Sequence, residues 1–297
     1  MTRQYAFYPG CTLHSTGAEF GASGEVVCEA LGLEMVEIPD WNCCGASSAH
    51  SLDHELGLAL PARNLFQAEG VGLESLAIPC AACYSKLAAA ALALKEDEAF
   101  RGRMEGLLGK HYEGQVRPRS LLEVVVRDVP KEELRAKVVR PLKNLRVVGY
   151  YGCLLVRPPE TTGLWDDPEH PRSLDEVVEW MGGEAVPWSY GVDCCGGSLT
   201  LNRSDVVVHL VDRLAEKARE AGADAMVTAC PMCSANVDGR QLFRGGVPFL
   251  GKRPEAKAVP IFYFTELMAL AYGLPMAKVL GKHYVDPRPL LDRLGLA

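Results

Sequence analysis

A chain of 297 residues, 48% hydrophobic and 23% charged, is long enough to bury one large core or two ordinary ones, which excludes a disordered or collagen-like polypeptide. Thirty-one Lys and Arg against 38 Asp and Glu leave a net charge of −7, and without a basic stripe that balance argues against a nucleic-acid partner. The longest apolar runs, Leu87 to Leu94 and Met268 to Leu274, fall short of the roughly 20 residues that a membrane-spanning helix needs. Met1-Thr2-Arg3-Gln4 opens into a strand-like stretch and not into the apolar block of a secretory leader, so a cytoplasmic protein is expected.

In chain order, β-branched and aromatic runs bounded by Gly or Pro predict strands over Tyr5–Tyr8, Glu34–Ile38 and Leu76–Ile78 in the first half. The second half repeats them over Arg146–Tyr150, Ala185–Val186 and Ala225–Thr228. Helices intervene. Ser173–Met181 opens with a Ser-x-x-Glu capping box, and Asp205–Glu220 sets Val206, Leu210, Leu214 and Ala218 on one stripe. Strands alternating with helices predict parallel βαβ units, hence an α/β fold. A charged connector, Glu96 to Leu145, reads mostly helical, and the boundary between the halves falls near Leu142, giving units of 1–142 and 143–297. The late segment Ile261–Leu280 reads as core.

The eleven cysteines carry the chemistry, because a reducing compartment keeps thiols free. Ten of them fall twice into one order. Cys11 is followed by Cys43-Cys44 and Cys80-x-x-Cys83, and Cys153 is followed by Cys194-Cys195 and Cys230-x-x-Cys233. The intervening gaps are 31 and 35 residues in the first copy, and 40 and 34 in the second. Flanking residues repeat as well: Tyr8-Pro9-Gly10-Cys11 answers Tyr150-Tyr151-Gly152-Cys153, and Asn42-Cys43-Cys44-Gly45 answers Asp193-Cys194-Cys195-Gly196. Most of these cysteines follow predicted strands, where α/β folds place their ligands. Thiolates select zinc, copper(I) or iron–sulfur groups, and adjacent Cys-Cys suits a multi-iron centre better than one tetrahedral ion. Cys28, within a helical stretch and without a counterpart, reads as a core residue. Zinc binding and dithiol exchange by Cys-x-x-Cys remain alternatives.

This duplicated Cys…Cys-Cys-Gly…Cys-x-x-Cys pattern resembles the cysteine-rich CCG domain family, and more closely the B-type subunits of heterodisulfide reductases. The resemblance covers nearly the whole chain, including Pro171-Arg172-Ser173-Leu174-Asp175-Glu176-Val177-Val178 and Ala221-Gly222-Ala223-Asp224-Ala225-Met226-Val227-Thr228. It implies two tandem, pseudo-symmetric CCG domains, each a small parallel sheet with flanking helices and each holding a noncubane 4Fe–4S cluster. Cys11, Cys43, Cys44, Cys80 and Cys83 would hold one, and Cys153, Cys194, Cys195, Cys230 and Cys233 the other; all ten positions are filled. It further implies reductive cleavage, or formation, of a disulfide, with electrons passed by an iron–sulfur C-type subunit from a flavin-bearing A-type subunit. Related chains instead serve a flavoprotein dehydrogenase for succinate, fumarate or 2-hydroxy acids and exchange electrons with quinone, so membrane association would come through partner subunits. One departure is visible: Leu154-Leu155 follow Cys153 where close relatives are expected to carry His.

Among weaker signals, Gly10, Gly45, Gly152, Gly196 and Gly197 would let backbone N–H groups approach sulfur, and Ser47 and Ser48 bring hydroxyls near the first set. His14, His50, His54 and His209 read as capping, solvated or packed residues, and Arg157 as a surface residue. Trp41 and Trp188 lie close to the Cys-Cys pairs. No dinucleotide or P-loop fingerprint is present, which places flavin and nucleotide on partners.

Overall fold

A computed structural model describes residues 3–46, 49–200, 202–243, 251–253, 257–275, 280 and 282–296. The chain builds two four-stranded sheets, one per half. In the first, β1 (Arg3–Phe7), β2 (Leu33–Glu37), β3 (Ser75–Ile78) and β4 (Arg117–Ser120) lie in the order β2-β1-β3-β4. In the second, β5 (Arg146–Tyr150), β6 (Glu184–Ala185), β7 (Ala225–Thr228) and β8 (Ile261–Tyr263) repeat it as β6-β5-β7-β8. Every pairing is parallel, with Tyr5 opposite Met35, Ala6 opposite Leu76, and Tyr150 opposite Thr228. In such a strand order the chain leaves β1 and β3 in opposite directions, which makes their shared carboxyl edge the switch point where ligands bind. Cys11 follows β1 and Cys80 follows β3; Cys153 and Cys230 follow β5 and β7.

The helices of the first half are α1 (Gly10–Leu13), α2 (Ala18–Ala30), α3 (Ala49–Leu52), α4 (His54–Glu69), α5 (Ala81–Glu96), α6 (Glu98–Leu108), α7 (Leu121–Asp128) and α8 (Lys131–Ala136). Those of the second are α9 (Pro159–Thr162), α10 (Ser173–Trp180), α11 (Ser204–Glu220), α12 (Pro231–Arg240), α13 (Phe264–Ala271) and α14 (Arg288–Leu294). Central strands are buried on both faces, as parallel sheets covered by helices require: β7 is fully buried over Ala225-Met226-Val227-Thr228.

The two halves share one hydrophobic core. Phe20 of α2 stacks on Tyr263 at 4.5 Å between ring centroids, and the buried Ser23 and Thr265 hydroxyls lie 2.6 Å apart. On the other side of the seam the Tyr84 hydroxyl donates to the Thr162 carbonyl at 2.8 Å.

Most predicted elements appear at or within two residues of their expected bounds, and Ile261–Tyr263 with α13 is buried throughout. Three details differ. The connector is not purely helical, because Arg117-Pro118-Arg119-Ser120 pairs with β3 as an edge strand, where a proline costs no ladder bond. Its Arg119 is buried because Glu123 and Asp128 of α7 both bind it, at 2.9 Å from Nε and Nη2. The buried stripe of α11 runs through Val207, Val211, Leu214 and Ala218, so Val206 and Leu210 lie one residue out of phase with it. The capping box of α10 does not form: Ser173 is inside the helix with its buried hydroxyl unpartnered, and the Asp166 carboxylate accepts the Arg172 and Ser173 N–H groups instead.

Candidate functional site

Each half gathers its cysteines around the end of its switch point. Cys11 stands in α1, just after Gly10, whose φ of +68° and tight fit, 3.2 Å from a virtual Cβ to Cys83 Sγ, favour glycine. Gly152 repeats this against Cys233 Sγ, at φ +66°. The Cys-Cys loops end in Gly45 and Gly196, both in the left-handed region, so their N–H groups turn back to donate to Cys43 Sγ at 3.4 Å and Cys194 Sγ at 3.2 Å. Cys80 and Cys230 cap the N-termini of α5 and α12, which puts Cys83 and Cys233 in the first turns.

Within the first set, Cys44 Sγ lies 3.1 Å from Cys83 Sγ. In the second, Cys195 Sγ is 3.6 Å from Cys233 Sγ and Cys153 Sγ is 3.6 Å from Cys194 Sγ. The Tyr8 hydroxyl donates to the Asn42 carbonyl and the Tyr150 hydroxyl to the Asp193 carbonyl, both at 2.9 Å. Each phenol is held well above its ordinary range, first by burial and then by four thiols of its own set: Cys83, Cys44, Cys43 and Cys11 for Tyr8, and Cys233, Cys195, Cys194 and Cys153 for Tyr150. The sets also approach each other: Cys80 and Cys230, both buried, are near enough across the seam for each to shift the other's acidity, Cys80 upward and Cys230 downward. Ten thiols thus form two mirrored groups with a common inner edge.

Their outer edges differ in access. Cys11, Cys43 and Cys194 are exposed and Cys153 half-buried, while Cys44, Cys80, Cys83, Cys195, Cys230 and Cys233 are buried. Acidity is uneven too. Hydrogen bonds from Cys43 and then Cys83 pull Cys44 down to about 3, and the hydrogen bond from Cys153, helped by the Gly196 and Gly197 N–H groups, pulls Cys194 down to about 6. Cys230 is drawn well below its usual range by Cys233 and Cys80, with the first-turn N–H groups of α12 adding to this. Their partners Cys43, Cys80, Cys83, Cys153 and Cys233 are pushed up in turn, chiefly by the neighbouring thiols they bond to. The donor set is all sulfur and cradled by glycine, which fits an iron–sulfur group. Among the described residues no three His, Cys, Asp or Glu side chains converge closely enough to hold one metal ion.

Other sequence signals resolve as follows. Cys28 is buried in α2, with burial pushing its thiol up to about 12. His14 stacks on Trp41, which meets Tyr8 edge-on, and Trp188 meets Tyr150 likewise. Arg157 is tied to the Pro168 carbonyl and Glu169 away from the thiols. His54 and His209 are exposed, Leu155 is fully buried, and Ser47, Ser48 and the His50 side chain lie outside the described residues. Sequence reasoning missed Asn236, whose amide donates to Cys195 Sγ at 3.6 Å. Its signal was its place one helical turn beyond Cys233.

A duplicated parallel α/β scaffold with thiols at both switch points defines a tandem cysteine-rich domain protein. The chain belongs to the cysteine-rich CCG domain family, which matches residues 5–88 and 147–238. It is 32% identical over 287 residues to the 8-methylmenaquinol:fumarate reductase membrane anchor subunit of Wolinella succinogenes, covering 96% of this chain and 97% of that one. It is 27% identical over 274 residues to the B-type subunit of the ferredoxin:CoB-CoM heterodisulfide reductase of Methanosarcina mazei, covering 90% and 89%. A protein of Archaeoglobus profundus that is itself described as like the B-type subunit of heterodisulfide reductase is 27% identical over 288 residues, covering 94% and 93%. Among solved structures, a hypothetical protein from Helicobacter pylori shares the fold with a TM-score of 0.72 at 15% identity; the match covers 95% of this chain and 52% of that one.

Proposed function

We propose that this chain is the iron–sulfur subunit of a multi-subunit reductase and that a disulfide is cleaved or formed between its two thiol sets. The observation that carries this reading is the pair of mirrored cysteine quintets meeting at Cys80 and Cys230. Cys11, Cys43, Cys44, Cys80 and Cys83 would hold one noncubane 4Fe–4S cluster, and Cys153, Cys194, Cys195, Cys230 and Cys233 the second. Such clusters supply one-electron steps, two of which, with two protons, convert a disulfide into two thiols. The chain's own contribution is placement and charge: Gly45 and Gly196 N–H groups and the Asn236 amide soften the negative charge on sulfur, while exposed Cys11, Cys43 and Cys194 mark the edge that a small substrate can reach. Electrons would come from an iron–sulfur C-type subunit and a flavin-bearing A-type subunit or flavoprotein dehydrogenase. We place the boundary between the two CCG domains at Leu142 and the chain in the cytoplasm. No helix among the described residues is long and apolar enough to cross a membrane.

A second reading, electron exchange with quinone beside a flavoprotein that reduces fumarate or oxidises succinate or a 2-hydroxy acid, is supported by the 32% identity to the Wolinella protein. The deciding experiment is strictly anaerobic purification, assay of iron, acid-labile sulfide and zinc, then turnover of disulfides and of quinol with fumarate in the assembled complex. About eight iron with matching sulfide is expected, the content of two four-iron clusters. Zinc without sulfide overturns both readings; quinol turnover without disulfide turnover selects the second.

A further inference from the structure

A cavity opens on either side of the seam, and the internal repeat makes each a control for the other. One, of about 680 Å³, lies between α5 and the Glu160–Gly163 segment; the second, of about 570 Å³, lies between α12 and the Ser15–Glu19 segment. Counted from Cys83 and Cys233, Lys86, Ala88 and Ala90 of α5 correspond to Asn236, Asp238 and Arg240 of α12, all three buried. Counted from Cys11 and Cys153, Glu19 corresponds to Thr161. Buried Ala88 and Ala90 show that the α5 side packs the positions of Asp238 and Arg240 without charge, so the scaffold itself does not require the charges on α12.

Glu19 is the key to their purpose. It is 6% exposed, lines the cavity, and its Oε1 has no hydrogen-bond partner. A buried acceptor left unpaired costs about 1–3 kcal/mol, more when charged. Its two acidic neighbours are already satisfied. Asp238 accepts the Tyr284 and Val285 N–H groups at 2.7 and 2.9 Å, while Glu266 accepts the Tyr263 N–H at 2.8 Å and pairs with His283 Nε2 at 2.9 Å. Three carboxylates thus face one imidazole, with Lys282 exposed on the rim. Arg240 belongs to the other end, bonded to the Thr200 carbonyl and to Asn236, whose amide reaches Cys195. The cavity therefore runs from an acidic pole with a waiting acceptor to Asn236, the residue that separates it from Cys195 of the second thiol set. An unpaired carboxylate oxygen beside two further carboxylates calls for a cationic hydrogen-bond donor, and an organic ammonium supplies both the charge and the N–H.

We infer that this cavity binds the ammonium end of a small amine through Glu19, and that the disulfide or thiol handled at the second thiol set carries such a group. The second clause rests on the disulfide reading above; the first does not. Hexamethylenediamine, the all-carbon counterpart of cystamine, tests the cavity without an S–S bond. In anaerobic titration calorimetry on the full chain it is expected to bind, with adipate and hexanediol showing no comparable affinity. Glu19→Gln is expected to weaken it at least tenfold while Thr161→Ala leaves it unchanged. Equal binding to Glu19→Gln, or equal binding of adipate or hexanediol, overturns the inference; the latter comparison needs no variant, so a misfolded Glu19→Gln does not weaken the test. Cystamine turnover in the assembled complex is read separately. Diamine binding without cystamine turnover upholds the cavity and overturns the claim that the substrate carries the amine, while the disulfide reading still stands or falls with other disulfides; turnover without diamine binding upholds that reading and overturns the cavity.

Discussion

At the scale of single residues, the thiol sets depend on positions where a side chain is missing. Gly152 has a φ of +66°, and a Cβ built there would stand 2.8 Å from Cys233 Sγ. Two costs are separable, since Gly163 has a φ of +78° and nothing within 4 Å of the same virtual atom. Gly163→Ala should therefore cost only the left-handed backbone, about 1 kcal/mol. Gly152→Ala should cost that and, in addition, displace a sulfur held by buried neighbours, for a total of about 2–4 kcal/mol. Urea unfolding of the metal-free chain checks the difference, and equal losses for the two variants would mean that Cys233 moves aside freely. Gly10→Ala, with Cys83 Sγ at 3.2 Å, should fall between them.

At the scale of elements, the capping of α10 shows where local pattern and structure part. A Ser-x-x-Glu box predicts that Ser173 holds the helix start, yet the Asp166 carboxylate, reaching in from a preceding loop, accepts the Arg172 N–H at 3.1 Å and the Ser173 N–H at 2.9 Å. Asp166→Ala should thus cost about 1–2 kcal/mol, the worth of a cap, and Ser173→Ala should be neutral or stabilising because its buried hydroxyl has no partner. Thermal unfolding of the two variants decides; a large loss for Ser173→Ala would restore the box. The same contrast governs legibility elsewhere. Arg146–Tyr150 and Ala225–Thr228 were readable because apolar strands at sheet centres declare themselves by composition. β4 was not, since Arg119 becomes a core residue only when Glu123 and Asp128 fold back on it. Along α11, three successive valines offer three phases, and only Val207 among them is buried. The ten clustered thiols were legible from their order. The Cys80–Cys230 contact, Glu19 and the His283–Glu266 pair were not, because each joins residues distant in the chain.

At the scale of the whole molecule, the repeat produces one cooperative body and not two beads. Phe20 stacks on Tyr263, Ser23 meets Thr265, and Leu142 N–H donates to the Met181 carbonyl, so cutting at the proposed boundary would bare a broad apolar and polar face. Residues 1–142 expressed alone should give no cooperative unfolding transition, whereas the full chain should unfold in one step; a sharp transition in the fragment would show that the seam is dispensable. The seam also makes stability depend on pH. Burial pulls the His283 imidazole down, but the hydrogen bond and charge of Glu266, with Asp238 and Glu19 nearby, outweigh it and leave His283 up at about 9 from an ordinary 6.5. A folded-state value above the unfolded one means stabilisation that is complete below about pH 6.5 and lost as pH rises through 9. For a side chain only 3% exposed, the full shift corresponds to on the order of 3 kcal/mol. Because the thiols titrate over the same range, the measurement is a difference: the decline in unfolding free energy between pH 6.5 and 9 should be steeper in the native chain than in His283→Gln, which keeps an N–H donor for Glu266 but cannot take up the proton. Equal slopes would place the imidazole neutral at the seam and leave Glu266 to carry its own proton.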